Sequence, residues 1–126
     1  MSGVVYLAKG DPDEALEYLG QASTVHRGIE DRQGVARDLA NAGAVLDRLG
    51  KRSEAVAKFL QAAEIYGQIG MPVERGKLLG NLATALGLLG RDGFVTACEK
   101  AGMSRKDAGK LAGQLQSESK PQSGGA

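Results

Sequence analysis

The sequence repeats itself at an interval of 40 residues, and this repeat limits the folds open to the chain more than any other feature. Gly10, Gly50 and Gly90 are separated by this interval. Because a unit of this size cannot bury its apolar face alone, such units stack against their neighbours into an array. The same shift superposes further identical pairs, namely Glu14/Glu54, Ala15/Ala55, Gln21/Gln61, Ala22/Ala62, Leu39/Leu79, Asn41/Asn81, Leu46/Leu86 and Leu49/Leu89.

The apolar residues of each unit recur with helical spacing. In the first two units they follow the pattern i, i+1, i+4 and i+7, starting from Ala15 and from Ala55. Asp11 before Pro12 indicates a helix start, Gly70 indicates a helix end, and no alternating run is typical of a strand. The sequence therefore predicts an all-α fold with helices over 2–9, 12–27, 32–49, 52–69, 73–89 and 92–101.

Small residues occupy the positions where the two helices of a unit would cross. Gly3 and Gly43 share one register on the first helix, and Ala83 takes the same position in the third unit. A small residue there lets the partner helix approach closely, which offsets the cost of glycine in a helix. The second helices carry matching small residues, Ala15, Ala22, Ala55 and Ala62.

This combination of small, leucine and aromatic residues resembles the tetratricopeptide repeat (TPR), a helix–turn–helix unit. The 40-residue period is similar to the long-helix variety found in kinesin light chain and in bacterial signalling ATPases. The third unit departs from the pattern, since Val95, Glu99 and Gly102 stand where Ala, an aromatic and Ala are expected. The second unit matches most fully, through Leu39, Gly43, Leu46, Ala55, Phe59 and Ala62.

The resemblance implies an α-solenoid of about three helix–turn–helix hairpins. Ser104 to Asp107 could cap one further helix that closes the array, whereas the residues after Gln116 include no large apolar side chain and are expected to be disordered. The expected organisation is an array over 1–102, a capping helix over 103–116 and a disordered tail over 117–126. The array divides into units near 1–30, 31–70 and 71–102, of which the first and last are incomplete.

Composition excludes several classes of function. The formal net charge is +1, which argues against a nucleic-acid surface because such a surface needs an excess of basic residues. No uncharged apolar stretch reaches the roughly 20 residues that cross a bilayer, and no signal peptide is recognisable, so a cytoplasmic protein is expected. A single cysteine, Cys98, can form neither an internal disulfide nor a metal cluster.

No group of residues has the spacing that catalysis or cofactor binding requires. Gly76-Lys77 and Gly109-Lys110 lack the spacing and the Ser or Thr of a phosphate loop, and Asp11 and Asp13 lack the later ligands of a calcium loop. His26 and Cys98 lie in units at opposite ends of the array. We therefore expect a protein that is not an enzyme and holds no cofactor or metal.

Asn41 and Asn81 are the polar residues that the repeat indicates as candidates for ligand binding. They occupy equivalent positions on the first helices, which line the concave groove of a TPR array. There each amide offers a donor and an acceptor to a peptide backbone. Arg37, Lys77 and Arg48 would make the groove positive and suited to acidic partners. The alternative is that both asparagines are ordinary solvated residues shared through repeat ancestry.

The resemblance implies a non-catalytic module that binds a peptide or protein segment in its groove. The alternative is a regulatory segment of a larger signalling ATPase, transcription regulator or protease. The apolar run Val4 to Leu7 also suggests a homodimer through the N-terminal edge, and fraying of residues 1–10 without a partner is the competing expectation.

Overall fold

The computed structural model describes residues 12–28 and 31–119, and the fold of these residues is all-α. The helix expected over 2–9 and the run Val4 to Leu7 lie outside the described residues. The helices predicted from the apolar spacing over 12–27, 32–49 and 52–69 are present to within one residue at each end. The five described helices are α1 (Pro12–Gly28), α2 (Arg32–Arg48), α3 (Arg52–Gln68), α4 (Pro72–Lys100) and α5 (Arg105–Ser119).

Glycines end these helices in the left-handed region of backbone space. At Gly50 φ is 81°, and the next N–H, of Lys51, donates to the carbonyl of Leu46 at 2.9 Å. Gly70 repeats this arrangement, with a bond of 2.9 Å from Met71 N to Tyr66 O. These bonds satisfy carbonyls that a helix end would leave without partners, and a side chain with a Cβ would be strained at such a φ.

Gly90 interrupts α4 (Pro72–Lys100) with a non-helical backbone at φ 78° and ψ 166°. It separates two helical arms, 72–89 and 91–100, which agree to within one residue at each end with the helices predicted over 73–89 and 92–101. Gly90 adopts a conformation that other residues rarely reach, so one glycine replaces the longer turns at Gly50 and Gly70. The two arms of α4, 72–89 and 91–100, both contribute buried residues to the core.

α2 and α3 form an antiparallel hairpin. The guanidinium of Arg32, at the start of α2, donates to the Oε1 of Gln68 at the end of α3, while Gly43 lies against Phe59 near the middle of both helices. α3 in turn packs against α4, so that α3 is shared between successive layers. The result is one continuous core from α2 to α5, formed by Leu, Val, Phe and Ala residues.

α5 closes the C-terminal end of this core. The Oγ of Ser104 accepts from the Asp107 N–H at 3.1 Å, and Ala108, Ala112 and Leu115 are buried against the preceding helices. The helix ends at Ser119, so residues 117–119 are helical where the tail was expected to begin. A helix can continue past its last buried residue because each added turn bonds to the turn before it. The rest of the expected tail, 120–126, lies outside the described residues.

Candidate functional site

Three of the predicted site residues share one face of α2. Arg37, Asn41 and Arg48 follow the spacing i, i+4 and i+11, which places them in one row along a helix. Both arginines are exposed and Asn41 is half-buried, whereas the other side of α2 faces the core. With Ala44 between them, these residues form a surface that we call the α2 stripe.

The equivalent face of α4 carries the other two predicted residues. Lys77 and Asn81 are exposed and lie in one row with Val73, Thr84 and Leu88, which we call the α4 stripe. Val73 and Leu88 are 70% and 59% exposed, which is unusual for large apolar side chains on the described surface. Neither residue was predicted from the sequence to belong to the site. A comparison of Leu88 with its counterpart 40 residues earlier, Arg48, would have shown that the positive charge is not repeated.

Tyr66 on α3 is buried within electrostatic reach of charged residues on α2 and α4. Burial raises the pKa of its phenol, the Glu74 carboxylate raises this pKa further, and the Arg37 guanidinium opposes both effects. The buried Asp38 adds a smaller raising effect. Because these charges act on one hydroxyl, Arg37 of the α2 stripe and Glu74 at the start of α4 both lie within electrostatic reach of Tyr66.

Glu74 also changes the charge expected for the α4 stripe. Its Oε1 lies 3.5 Å from the Nζ of Lys77, one helical turn away. The pair is exposed, so it contributes little to stability, but it places a carboxylate beside the positive group that was expected to attract acidic ligands. The positive charges of Arg37, Arg48 and Lys77 were predicted from the sequence and this acidic neighbour was not. The i, i+3 spacing of Glu74 and Lys77 could have indicated it.

The side-chain amides of Asn41 and Asn81 are not bonded to any residue that the structure describes. Within residues 12–28 and 31–119, neither amide makes a hydrogen bond to another group. Each therefore keeps its donors and its acceptor for water or a ligand.

A cleft opens on a different side of α2, between α1 and α3. Its volume is about 510 Å³. One wall consists of Leu16, Leu19 and Gly20 on α1, and the other of Glu54, Ala57 and Lys58 on α3. The sequence analysis did not predict this cavity, which we call the α1–α3 cleft.

The floor of the α1–α3 cleft is the face of α2 roughly opposite the α2 stripe. It consists of Asp38, Leu39, Ala42 and Leu46. Asp38 is only 5% exposed and is the buried charged residue of the described core. The cleft and the two stripes are therefore separate surfaces that share one helix.

The structure gives Cys98 the environment of an unreactive thiol. Its side chain is fully buried, and burial raises the pKa of the thiol to about 11. At neutral pH the group is protonated, whereas the thiolate is the form that acts as a nucleophile. The side chain of His26 and the residue Asp11 lie outside the described part of the chain.

The residues that the structure describes lack the features of two further classes of site. No group of three or more His, Cys, Asp and Glu side chains is arranged to hold a metal ion there. None of the described helices has the length and apolar character needed to cross a membrane.

The stacked hairpins assign the protein to the class of all-α helical-repeat proteins. The family model for the tetratricopeptide repeat matches residues 2–68, which is more than half of the 126 residues. The chain therefore belongs to the tetratricopeptide repeat family, whose members generally mediate protein–protein interactions and are typically non-catalytic. Comparison with curated proteins and with solved structures found no match to this chain.

Proposed function

We propose that this protein is a non-catalytic module that binds a peptide or protein segment across the α2 and α4 stripes. One observation carries the proposal. Equivalent faces of the first helices of two successive hairpins carry the side-chain amides of Asn41 and Asn81, and neither amide is hydrogen-bonded to another residue within the described ranges. In a TPR array these faces line the concave groove.

The two amides suit the main chain of an extended ligand. A carboxamide both donates and accepts, so it can pair with a backbone N–H and C=O whatever the neighbouring side chains are. Recognition through two amides on adjacent units would hold a ligand in register without selecting its sequence. The residues beside Asn41 and Asn81 in each stripe would then determine which ligand sequences bind.

Those neighbours favour an acidic ligand on one side of the groove and an apolar contact on the other. Arg37 and Arg48 flank Asn41 on α2, and the guanidinium group binds carboxylates in a bidentate manner. On α4, Leu88 replaces the second arginine and Lys77 is next to Glu74. We therefore place the acidic part of the partner against α2.

The test combines Asn41→Ala with Asn81→Ala. The partner is first isolated with the intact protein and identified by mass spectrometry, and its affinity is then measured by calorimetry with purified components. We expect the double variant to bind about tenfold more weakly, since each lost hydrogen bond contributes about 0.5–1.5 kcal/mol. The thermal midpoint should change little because neither amide bonds to a residue that the structure describes.

The repeat supplies a matched control. Gln21 and Gln61 are another identical pair 40 residues apart, both exposed, and they lie on second helices away from the stripes. Gln21→Ala with Gln61→Ala should leave the affinity unchanged. Equal binding by a folded Asn41/Asn81 double variant would show that the stripes are not the binding surface.

A further inference from the structure

Counted from its N-cap, α5 has the same register as the two first helices, α2 and α4. Asp31 and Ser104 each accept a hydrogen bond from the backbone N–H three residues further on, of Gly34 at 2.8 Å and of Asp107 at 3.1 Å. Met71 is the corresponding N-cap of α4. In all three helices the fourth residue after the N-cap donates its N–H to the N-cap carbonyl, at 3.0, 3.0 and 2.8 Å.

Burial follows this register in all three helices. The seventh, eighth and eleventh residues after the N-cap are buried or half-buried against the core, and they are Asp38, Leu39 and Ala42 in α2, Leu78, Leu79 and Leu82 in α4, and Leu111, Ala112 and Leu115 in α5. The 40-residue period does not show this equivalence, because the arm 91–100 has ten residues where α3 has 17. α5 is therefore placed in the stack as a third first helix.

The face of α5 that is equivalent to the two stripes is also exposed. It consists of Lys106, Lys110, Gln114 and Ser117, which we call the α5 stripe. Lys110 takes the position of Arg37 and Lys77, and Gln114 takes that of the two asparagines. The Gln114 amide makes no hydrogen bond to another residue within the described ranges, and like asparagine it can both donate and accept.

The three stripes differ in charge, and the two outer ones are basic. The two arginines of the α2 stripe and the two lysines of the α5 stripe form no ion pair with another described residue. Asp107 is next to the α5 stripe, so its single carboxylate lowers the positive charge there without cancelling it. The α4 stripe lies between them in the stack. There Lys77 is paired with Glu74, and Val73 and Leu88 expose large apolar side chains.

We propose that the binding surface continues onto the α5 stripe, and that its partner is an extended segment with acidic residues at both ends and apolar residues between them. This inference rests on the proposed function. The acidic ends pair with the α2 and α5 stripes, and the apolar centre covers Val73 and Leu88. Packed helices lie at least about 8 Å apart and an extended chain rises about 3.3 Å per residue, so the segment spans at least about five residues.

The test is an NMR titration of the full chain with two synthetic peptides whose termini are blocked. The first is Asp-Asp-Ser-Leu-Val-Leu-Ser-Asp-Asp, and in the second one Asp-Asp pair is replaced by Asn-Asn. We expect the first peptide to shift the side-chain amides of Asn41, Asn81 and Gln114. Absence of binding by the first peptide, or binding without a shift at Gln114, would overturn the proposal.

A charge variant measures the contribution of α5. Lys106→Gln with Lys110→Gln should weaken binding of the first peptide about three- to tenfold and leave the second nearly unchanged, because the remaining acidic end binds the α2 stripe. The matched control, Lys51→Gln with Lys58→Gln, removes the same charge away from the stripes and should bind both peptides as the intact protein does. Equal affinity of the intact protein and the folded α5 variant for the first peptide would overturn the proposal.

Asn41→Ala with Asn81→Ala distinguishes failure of this inference from failure of the proposed function. If this folded variant binds the first peptide as tightly as the intact protein, the stripes are not the binding surface and both proposals are wrong. If it binds weakly while the α5 variant binds normally, only the continuation onto α5 is wrong. Both proposals predict weaker binding by each of the two variants.

Discussion

A Cβ atom on Gly43 would lie 2.6 Å from the Cε1 of Phe59, closer than real Cβ atoms approach another carbon. Gly43 on α2 and Phe59 on α3 therefore fix how closely the helices of this hairpin pack. The ring occupies the space that a side chain at residue 43 would need. This contact explains why a residue with poor helix propensity is present within α2.

Gly43→Ala should destabilise the fold even though alanine is the better helix former. The helix propensity gain is about 1 kcal/mol, but moving the buried ring of Phe59 or separating the helices costs about 1–3 kcal/mol. Urea unfolding followed by circular dichroism measures the difference. Gly80→Ala is the control, since its Cβ meets no atom within 4 Å, and it should stabilise the protein by up to about 1 kcal/mol.

Neutralising Glu74 should strengthen the binding of an acidic ligand. Glu74→Gln removes the carboxylate 3.5 Å from Lys77, so the ammonium becomes available to a ligand carboxylate. We expect an affinity gain of about two- to fivefold, largest at low salt because exposed charges are screened. Calorimetry at two salt concentrations measures it. Glu64→Gln on α3 should have no effect, and a similar gain there would mean that only the net charge matters.

The pKa of Tyr66 should respond to its two neighbours in opposite directions. Glu74→Gln should lower this pKa because Glu74 raises it, and Arg37→Gln should raise it because Arg37 lowers it. The ring carbon shift of Tyr66 in an NMR titration reports the value. Since the folded-state pKa lies above the unfolded value of about 10, the associated stability is present below that pH and is lost as pH rises through the folded pKa. A Tyr66 pKa that responds to neither variant would contradict the electrostatic effect of Arg37 and Glu74 on this phenol.

Cys98 should not react with thiol reagents while the protein is folded. Its pKa of about 11 leaves almost no thiolate at pH 8, and the side chain is inaccessible. We expect dithionitrobenzoate to modify Cys98 only after addition of denaturant. The stabilisation associated with the protonated thiol is fully present below the unfolded pKa near 8.5 and declines as pH rises towards 11. Rapid labelling under native conditions would contradict the buried position.

The helical part of the fold could be predicted because its signals are local and repeated. Apolar spacing, together with Gly50, Gly70 and Pro72, defines α2 and α3 to within a residue of the observed ends. Gly90 likewise separates two helical segments, and both lie within one residue of the predicted ranges. That the second segment begins directly after Gly90, without the longer turns seen at Gly50 and Gly70, could not be predicted because it depends on how that segment packs.

The surfaces were predicted less completely because they depend on differences between units. Identical pairs such as Asn41 and Asn81 identify a shared face, and both residues lie on first helices, Asn41 half-buried and Asn81 exposed. The α1–α3 cleft arises where the units disagree, for example at Gly20 against Leu60. A cavity forms only when several such differences meet in space, and the sequence does not show which of them meet.

Site-specific photocrosslinking tests the central claim, that partners bind across the two stripes, most directly. A benzophenone amino acid replaces Ala44 or Thr84 in the stripes, or Gln61 or Thr96 at exposed positions on second-helix segments. The account predicts that the purified partner forms adducts with the proteins labelled at residues 44 and 84, and that adducts at 61 and 96 stay at background. Adducts at 61 and 96 with none at 44 and 84, from proteins that are all folded, would contradict it.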